Sequence, residues 1–218
     1  ERVGARIEQA IGEGIFPGCV IGVTDHGVRD VRAFGAPTYE SSARIRDDSI
    51  YDVASLTKTV VTATLMHALI DEGRCALDDL VARHIPEFAA NGKAGVTLAH
   101  LLSYTLQLET AYYDDWKGDT SLYSFPELLA LFCAAPLKSP PGEAYLYTDA
   151  TAMLLGELIR RVAGRDLDAL ADERIFAPLG MRDSTLNPSH SDADRIVPTG
   201  HRPDGRLVWC VPNDEKAE

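Results

Sequence analysis

The sequence predicts an α+β fold: a helical region packed on an antiparallel sheet that an N-terminal hairpin begins. Three observations carry this. Cys19–Thr24 and Val28–Phe34 are strand-like apolar runs separated by Asp25-His26-Gly27, the composition of a tight hairpin turn. From Ser55 onward, apolar residues recur at helical spacing in several successive segments. The 218 residues are 45% hydrophobic and 25% charged, ordinary proportions for a globular protein with a substantial core.

Each element has its own signal. Val3, Ile7, Ala10 and Ile11 share one face of a helix that Phe16-Pro17-Gly18 stops. The hairpin follows, and 35–50 is polar and irregular. Ser55 opens a strongly apolar run to Ile70, with Val61, Leu65, Ala68 and Leu69 at helical spacing and Gly73 as a C-terminal cap. Leu77-Asp78-Asp79-Leu80 starts a short turn ending near Pro86. Thr97 caps a short helix through Leu102, and Ser124-Phe125-Pro126-Glu127 has the form of a capping box before a helix that ends ahead of Pro136. Thr148 or Asp149 opens a further helix that Gly164 closes, and 166–176 is amphipathic up to Pro178. Beyond Met181 the chain is rich in turns. The expected division is 1–49 for the first helix and hairpin, 50–176 for the helical subdomain, and 177–218 for a turn-rich segment. Two strands alone make a marginal sheet, so further strands are expected to pair with this hairpin.

Composition narrows the function classes. The formal net charge of −12 argues against nucleic acid and anionic membrane as partners. No apolar stretch is long enough to span a bilayer. The four cysteines, Cys19, Cys75, Cys133 and Cys210, include no C-x-x-C pair and allow three disulfide pairings; the apolar neighbours of Cys75 and Cys133 favour buried free thiols. The six histidines include no H-E-x-x-H, and neither a metal nor a cofactor is expected. The chain opens at Glu1 without a methionine, which leaves a leader undecided; the cytoplasm is favoured over the periplasm or secretion. Oligomeric state is left open.

Chemistry concentrates at Ser55-Leu56-Thr57-Lys58, which contains the chain's only Ser-x-x-Lys and one of its five lysines. Residues i and i+3 share a helix face, so the hydroxyl and the amine can meet. A serine hydroxyl is a weak nucleophile until a base takes its proton, and a lysine serves when its ammonium is destabilised. A helix N-terminus at Ser55 adds backbone N–H groups suited to an oxyanion. Tyr147 is a second proton-transfer candidate; in isolation it reads better as a buried tyrosine with its hydroxyl satisfied, and its place at the mouth of a helix after Pro141-Gly142 adds weight to the catalytic reading.

Together these segments resemble the serine β-lactamase and penicillin-binding-protein family, most closely class C β-lactamases and related esterases and peptidases. Asp52-Val53-Ala54-Ser55-Leu56-Thr57-Lys58 is very similar to the family's nucleophile motif. Pro17-Gly18-Cys19-Val20 resembles its opening strand, and 77–81, 97–103, Leu154-Leu155-Gly156 and 178–181 resemble secondary landmarks. The stretch 141–149 looks like its Pro-Gly and Tyr-x-Asn segment. The resemblance implies a β-lactamase/transpeptidase-like fold, with the site in the cleft between helices and sheet. It implies that Ser55 is acylated, that Lys58 and Tyr147 share the proton work, and that Asp149 and Tyr104 lie on the substrate side. The substrate would be a β-lactam, a D-amino-acid peptide or an ester. A catalytically impaired relative, kept as a binding or regulatory module, is the alternative.

Three departures stand out. Asp149 replaces the family's asparagine; a carboxylate cannot donate to a substrate carbonyl, and beside Lys58 it favours the ammonium. The family's His-Thr-Ser-Gly turn reads Tyr104-Thr105-Leu106-Gln107, which places strain on Gln107 if a positive φ is needed there. The family's Lys-Thr-Gly or His-x-Gly strand has no counterpart by Glu218, so the chain is expected to be a fragment that lacks the C-terminal strands. One lost oxyanion donor costs about 2.7–4 kcal/mol of barrier. Loops such as 110–123 are expected to shape the pocket.

Overall fold

The computed structural model describes residues 2–109, 124–202 and 204–210. The pocket-shaping loop expected at 110–123 lies outside these, as do the residues after Cys210. The chain forms two compact units, one of residues 1–54 with 188–218 and the other of residues 55–187.

In the first unit, helix α1 (Arg2–Gly12) leads into strands β1 (Gly18–Asp25) and β2 (Val28–Gly35). They pair antiparallel, with Gly18 opposite Gly35 and Asp25 opposite Val28. The turn works because His26 and Gly27 both take positive φ, 46° and 82°, the geometry that matches strand twist in a two-residue hairpin. Helix α1 meets the β2 end of the hairpin through Ile11 and Gly4, the latter beside the Phe34 ring. Ile7, Ala10 and Ile11 are half-buried as the sequence pattern requires, but Val3 is exposed and Gly4 takes its place on the inner face.

Two features of this unit escaped the sequence reading. Ile50 forms a parallel bridge with Ile196. Strands β3 (Gly200–His201) and β4 (Leu207–Val208) form a second antiparallel pair. Two residues are too few for periodicity to register.

The second unit is helical. A π-helical turn, Lys58–Ala63, runs directly into α2 (Thr64–Asp71). The helix expected from Ser55 is therefore present but wider over its first part, and Thr64 Oγ1 reaches back five residues to the Thr59 carbonyl at 3.1 Å. Next come α3 (Val81–His84), α4 (Leu98–Leu102), α5 (Phe125–Ala134), α6 (Asp149–Ala163) and α7 (Leu167–Ala171), the last continuing into a π-turn at Asp172–Phe176. The expected caps are in place. Thr97 with His100 and Ser124 with Glu127 close capping boxes, and Gly164 ends α6. Between Thr148 and Asp149, the cap is Thr148, whose Oγ1 accepts from the Thr151 N–H.

The core of this unit lies around α6. Leu154, Leu158 and Ile159 pack in one cluster with Leu65, Met66 and Leu69 of α2, and with Phe88, Leu101 and Phe132. Each such side chain contributes roughly 1.5–3 kcal/mol by leaving water. One polar cluster reinforces it. Buried Glu157 accepts from Arg160 Nε at 2.8 Å and from Arg161, which also reaches Glu87 and the His84 carbonyl. Cys75 and Cys133 are buried free thiols, and Cys19 and Cys210 are half-buried and also free.

Candidate active site

Ser55 sits at the chain's entry to the second unit, just before the π-turn. The residue before it, Ala54, has φ of 45°, a left-handed conformation that costs a residue with a Cβ about 1–2 kcal/mol. A hydrogen bond from the Ala54 N–H to Asp52 Oδ1 at 2.7 Å holds that bend. Ser55 itself is exposed, so its hydroxyl is open to a reactant.

Lys58 meets it as the i,i+3 spacing requires: Nζ donates to Ser55 Oγ at 2.9 Å. The same amine lies 2.7 Å from Asp149 Oδ1, with the two side chains 18% and 20% exposed. It also lies 5.1 Å from the centre of the Tyr147 ring, whose hydroxyl helps to hold the ammonium. Tyr104 stacks on Tyr147 with ring centres 5.1 Å apart and planes 20° from parallel, and Tyr145 flanks Tyr104 at 6.4 Å. The structure thus brings together all five residues singled out in the sequence: Ser55, Lys58, Tyr104, Tyr147 and Asp149.

Distant segments converge for a local reason. Gly142 N–H donates to the Thr105 carbonyl at 3.0 Å and Leu146 N–H to the Tyr104 carbonyl at 2.8 Å. These bonds lay residues 142–146 along 104–105, so that Tyr147 and the first turn of α6 arrive beside Lys58. Asp149 occupies that first turn, where the helix dipole favours a carboxylate.

The electrostatics follow. Burial pushes the Lys58 ammonium down, but hydrogen bonds to Asp149 and Tyr147, together with their charges, outweigh it and leave its pKa raised. At neutral pH the ammonium form is therefore favoured; it donates to Ser55 and is a poor acceptor for its proton. The carboxylate expected to favour the ammonium does so in a direct ion pair. Tyr104 is also raised: burial is the main cause, the Lys58 charge opposes it, and Tyr147, Asp149 and Tyr145 reinforce it.

One expectation is corrected. Gln107 is not among the residues of positive φ; the strain falls on Tyr104, at φ of 55°. The turn bends three residues earlier than the motif suggests, because the Leu146 and Gly142 bonds fix the carbonyls of 104 and 105. Tyr145 escaped the sequence reading, although Tyr145-Leu146-Tyr147 alternates in the way an extended segment places two rings on one side. Among the described residues no cluster of three metal-ligating side chains occurs, and no helix is long and apolar enough to cross a membrane.

The family model for beta-lactamase matches residues 3–218. The chain belongs to the beta-lactamase family. It is similar to esterase EstB of Burkholderia gladioli, 32% identical over 198 residues that cover 84% of this chain and 50% of that protein. It is also similar to the D-alanyl-D-alanine-carboxypeptidase/endopeptidase AmpH of Escherichia coli (strain K12), 27% identical over 187 residues, or 83% of this chain and 48% of that one. Among solved structures, a class C beta-lactamase in complex with cefoxitin superimposes with a TM-score of 0.83 at 20% identity, covering 99% of this chain and 59% of the other. At that identity the likeness speaks for the fold, which is β-lactamase/transpeptidase-like, with helices and a small antiparallel sheet. The chain spans about half the length of the curated relatives it matches.

Proposed function

We propose that this beta-lactamase family protein is a serine acyl hydrolase that works through an acyl-enzyme on a β-lactam, a D-amino-acid peptide or an ester. The observation that supports it most is the hydrogen bond between Lys58 Nζ and Ser55 Oγ, with the Tyr147 phenol on the same amine. The relatives' names, an esterase, a carboxypeptidase/endopeptidase and a class C beta-lactamase, mark out the substrate range.

In the first step Ser55 Oγ bonds to the substrate carbonyl carbon, and its proton leaves through the Lys58–Tyr147 pair. As the tetrahedral intermediate collapses, the bond to the amine or alcohol breaks and that group takes the proton. Water then attacks the acyl-enzyme, gives a proton back to Ser55 Oγ, and releases the acid. Lys58 and Tyr147 move the proton in both halves. Asp149 and Tyr104 face the substrate side. The partner is a small-molecule or peptide acyl donor.

The test is covalent labelling. The protein is incubated with a fluorophosphonate and with a fluorescent penicillin, and its intact mass is read. The proposal expects one adduct, mapped to Ser55 and absent from Ser55→Ala. A folded protein that forms no adduct, or whose adduct survives that substitution, refutes it. The second reading, an impaired relative acting as a binding module, is favoured by the Lys58–Asp149 ion pair, since a lysine held as an ammonium is a poor base. It expects no adduct.

A further inference from the structure

Resting on the acyl-hydrolase reading, we infer that Asp149 is a specificity-determining counter-ion: by cancelling the charge of Lys58 beside Ser55, it directs the site to acyl donors that carry no negative charge, uncharged esters above all.

Lys58 Nζ is within 2.9 Å of the nucleophile's oxygen, so whatever reacts at Ser55 lies within a few ångströms of that amine. A lone ammonium there attracts a substrate carboxylate. Here Asp149 Oδ1 is 2.7 Å from the same nitrogen, at comparable burial, so the pair presents a dipole and no net charge. Among the described residues, the phenols of Tyr147 and Tyr104 also face Lys58, and neither brings a cation that would attract an anion. Asp149 is also acceptor-only, so it repels a carboxylate directly. The surrounding field acts in the same sense, with a net charge of −12 over the chain. Tyr145 and Tyr147 add exposed aromatic surface, which suits an apolar acyl or alcohol group.

A unit charge at roughly 6–8 Å changes binding by about two- to threefold in water and by roughly thirty- to a hundredfold near a protein surface, so an intermediate effect of about tenfold is expected. The experiment uses two matched substrates, p-nitrophenyl hexanoate and the mono-p-nitrophenyl ester of adipic acid, which differ in a terminal carboxylate. Ser55 acylation is followed by p-nitrophenol release and intact mass, in the native protein, Asp149→Asn and Asp149→Glu.

The native protein is expected to react about tenfold faster with the hexanoyl ester. Asp149→Asn should move that ratio about tenfold toward the adipoyl ester, with the shift shrinking as salt is added. Asp149→Glu, which keeps the charge, should stay near the native ratio. Equal native rates overturn the inference even if the Asn variant does not fold. A native preference that persists in Asp149→Asn, or that Asp149→Glu loses equally, also overturns it. Failure of both esters to acylate Ser55 would instead overturn the hydrolase reading on which it rests.

Discussion

Gly142 joins a sequence motif to the site, and replacing it with alanine tests that link. Its φ is +92°, in a region that side-chain-bearing residues rarely occupy. An added Cβ would lie 3.4 Å from His100 Nε2 and 3.6 Å from Cδ2, which is ordinary contact, so the cost is conformational and not a clash. His100 cannot retreat to relieve it, because its Nδ1 accepts from the Thr97 N–H at 3.0 Å. A residue held in such a conformation costs about 1–3 kcal/mol. In a protein of this size each kcal/mol moves Tm by about 2–4 °C, so Gly142→Ala should melt roughly 2–12 °C lower. The segment can also relax by giving up the bonds from Gly142 to Thr105 and from Leu146 to Tyr104. Tyr147 then moves away from Lys58, and acylation of Ser55 slows while Tm falls less. Differential scanning fluorimetry and labelling kinetics on the same sample distinguish the two. A variant that melts within about 1 °C of the native protein and labels at the native rate would refute the reasoning.

Two further predictions concern buried charge. Glu157→Leu removes the carboxylate that Arg160 and Arg161 share and should destabilise by about 2–4 kcal/mol, read as a lower urea midpoint at pH 7. Its pH dependence has a defined sign. Arg160 and Arg161 hold Glu157 below the usual carboxylate range, so its contribution is complete above that range and is lost as pH falls through the folded value. The acid limb of stability should therefore be shallower in the variant. Lys93 is fully buried and hydrogen-bonded to the Ala135 carbonyl, and burial pushes its ammonium down. The unfolded chain then holds more protons, so stability should rise with pH from the folded value up to the ordinary lysine range. Lys93→Met should remove that slope in urea titrations between neutral and alkaline pH, and an unchanged slope would place its origin elsewhere.

What the sequence made legible is what local chemistry decides. The hairpin turn, the boxes at Thr97 and Ser124, the end of α6 at Gly164 and the Ser55–Lys58 contact all depend on residues within one turn of each other. Tyr147 is different. No spacing rule ties it to Ser55; its place at the mouth of a helix after Pro141-Gly142 made it a candidate, and the resemblance to a family gave it its role. The register that delivers it, residues 142–146 along 104–105, is a long-range pairing without periodicity. The ion pair at Asp149 was legible as chemistry, because a carboxylate beside a lysine has one electrostatic sign. The π-turn at Lys58–Ala63 was not, because the same apolar spacing serves an α-helix and a slightly wider one. The misplaced strain is also a matter of long-range pairing: the resemblance pointed to Gln107, where the family has a glycine, while two backbone hydrogen bonds settled the bend at Tyr104.

That bend raises a last question: what does a strained tyrosine at position 104 contribute? A φ of 55° costs a residue with a Cβ about 1–2 kcal/mol, and glycine would carry no such cost. The ring stacks on Tyr147 with centres 5.1 Å apart, an interaction of about 0.5–1.5 kcal/mol. The two terms nearly cancel, so Tyr104→Gly should change stability by about 1 kcal/mol or less. Its effect on the site should be larger. Without the stacked ring Tyr147 is held on one side only, by Lys58, and samples orientations in which its hydroxyl leaves the amine. Ser55 acylation should slow about tenfold in Tyr104→Gly and stay near native in Tyr104→Phe, which keeps the ring and loses the hydroxyl. If Tyr104→Phe slows as much as Tyr104→Gly, the hydroxyl itself contacts the substrate. If neither slows, Tyr104 shapes the turn alone, and the strain has no bearing on the chemistry at Ser55.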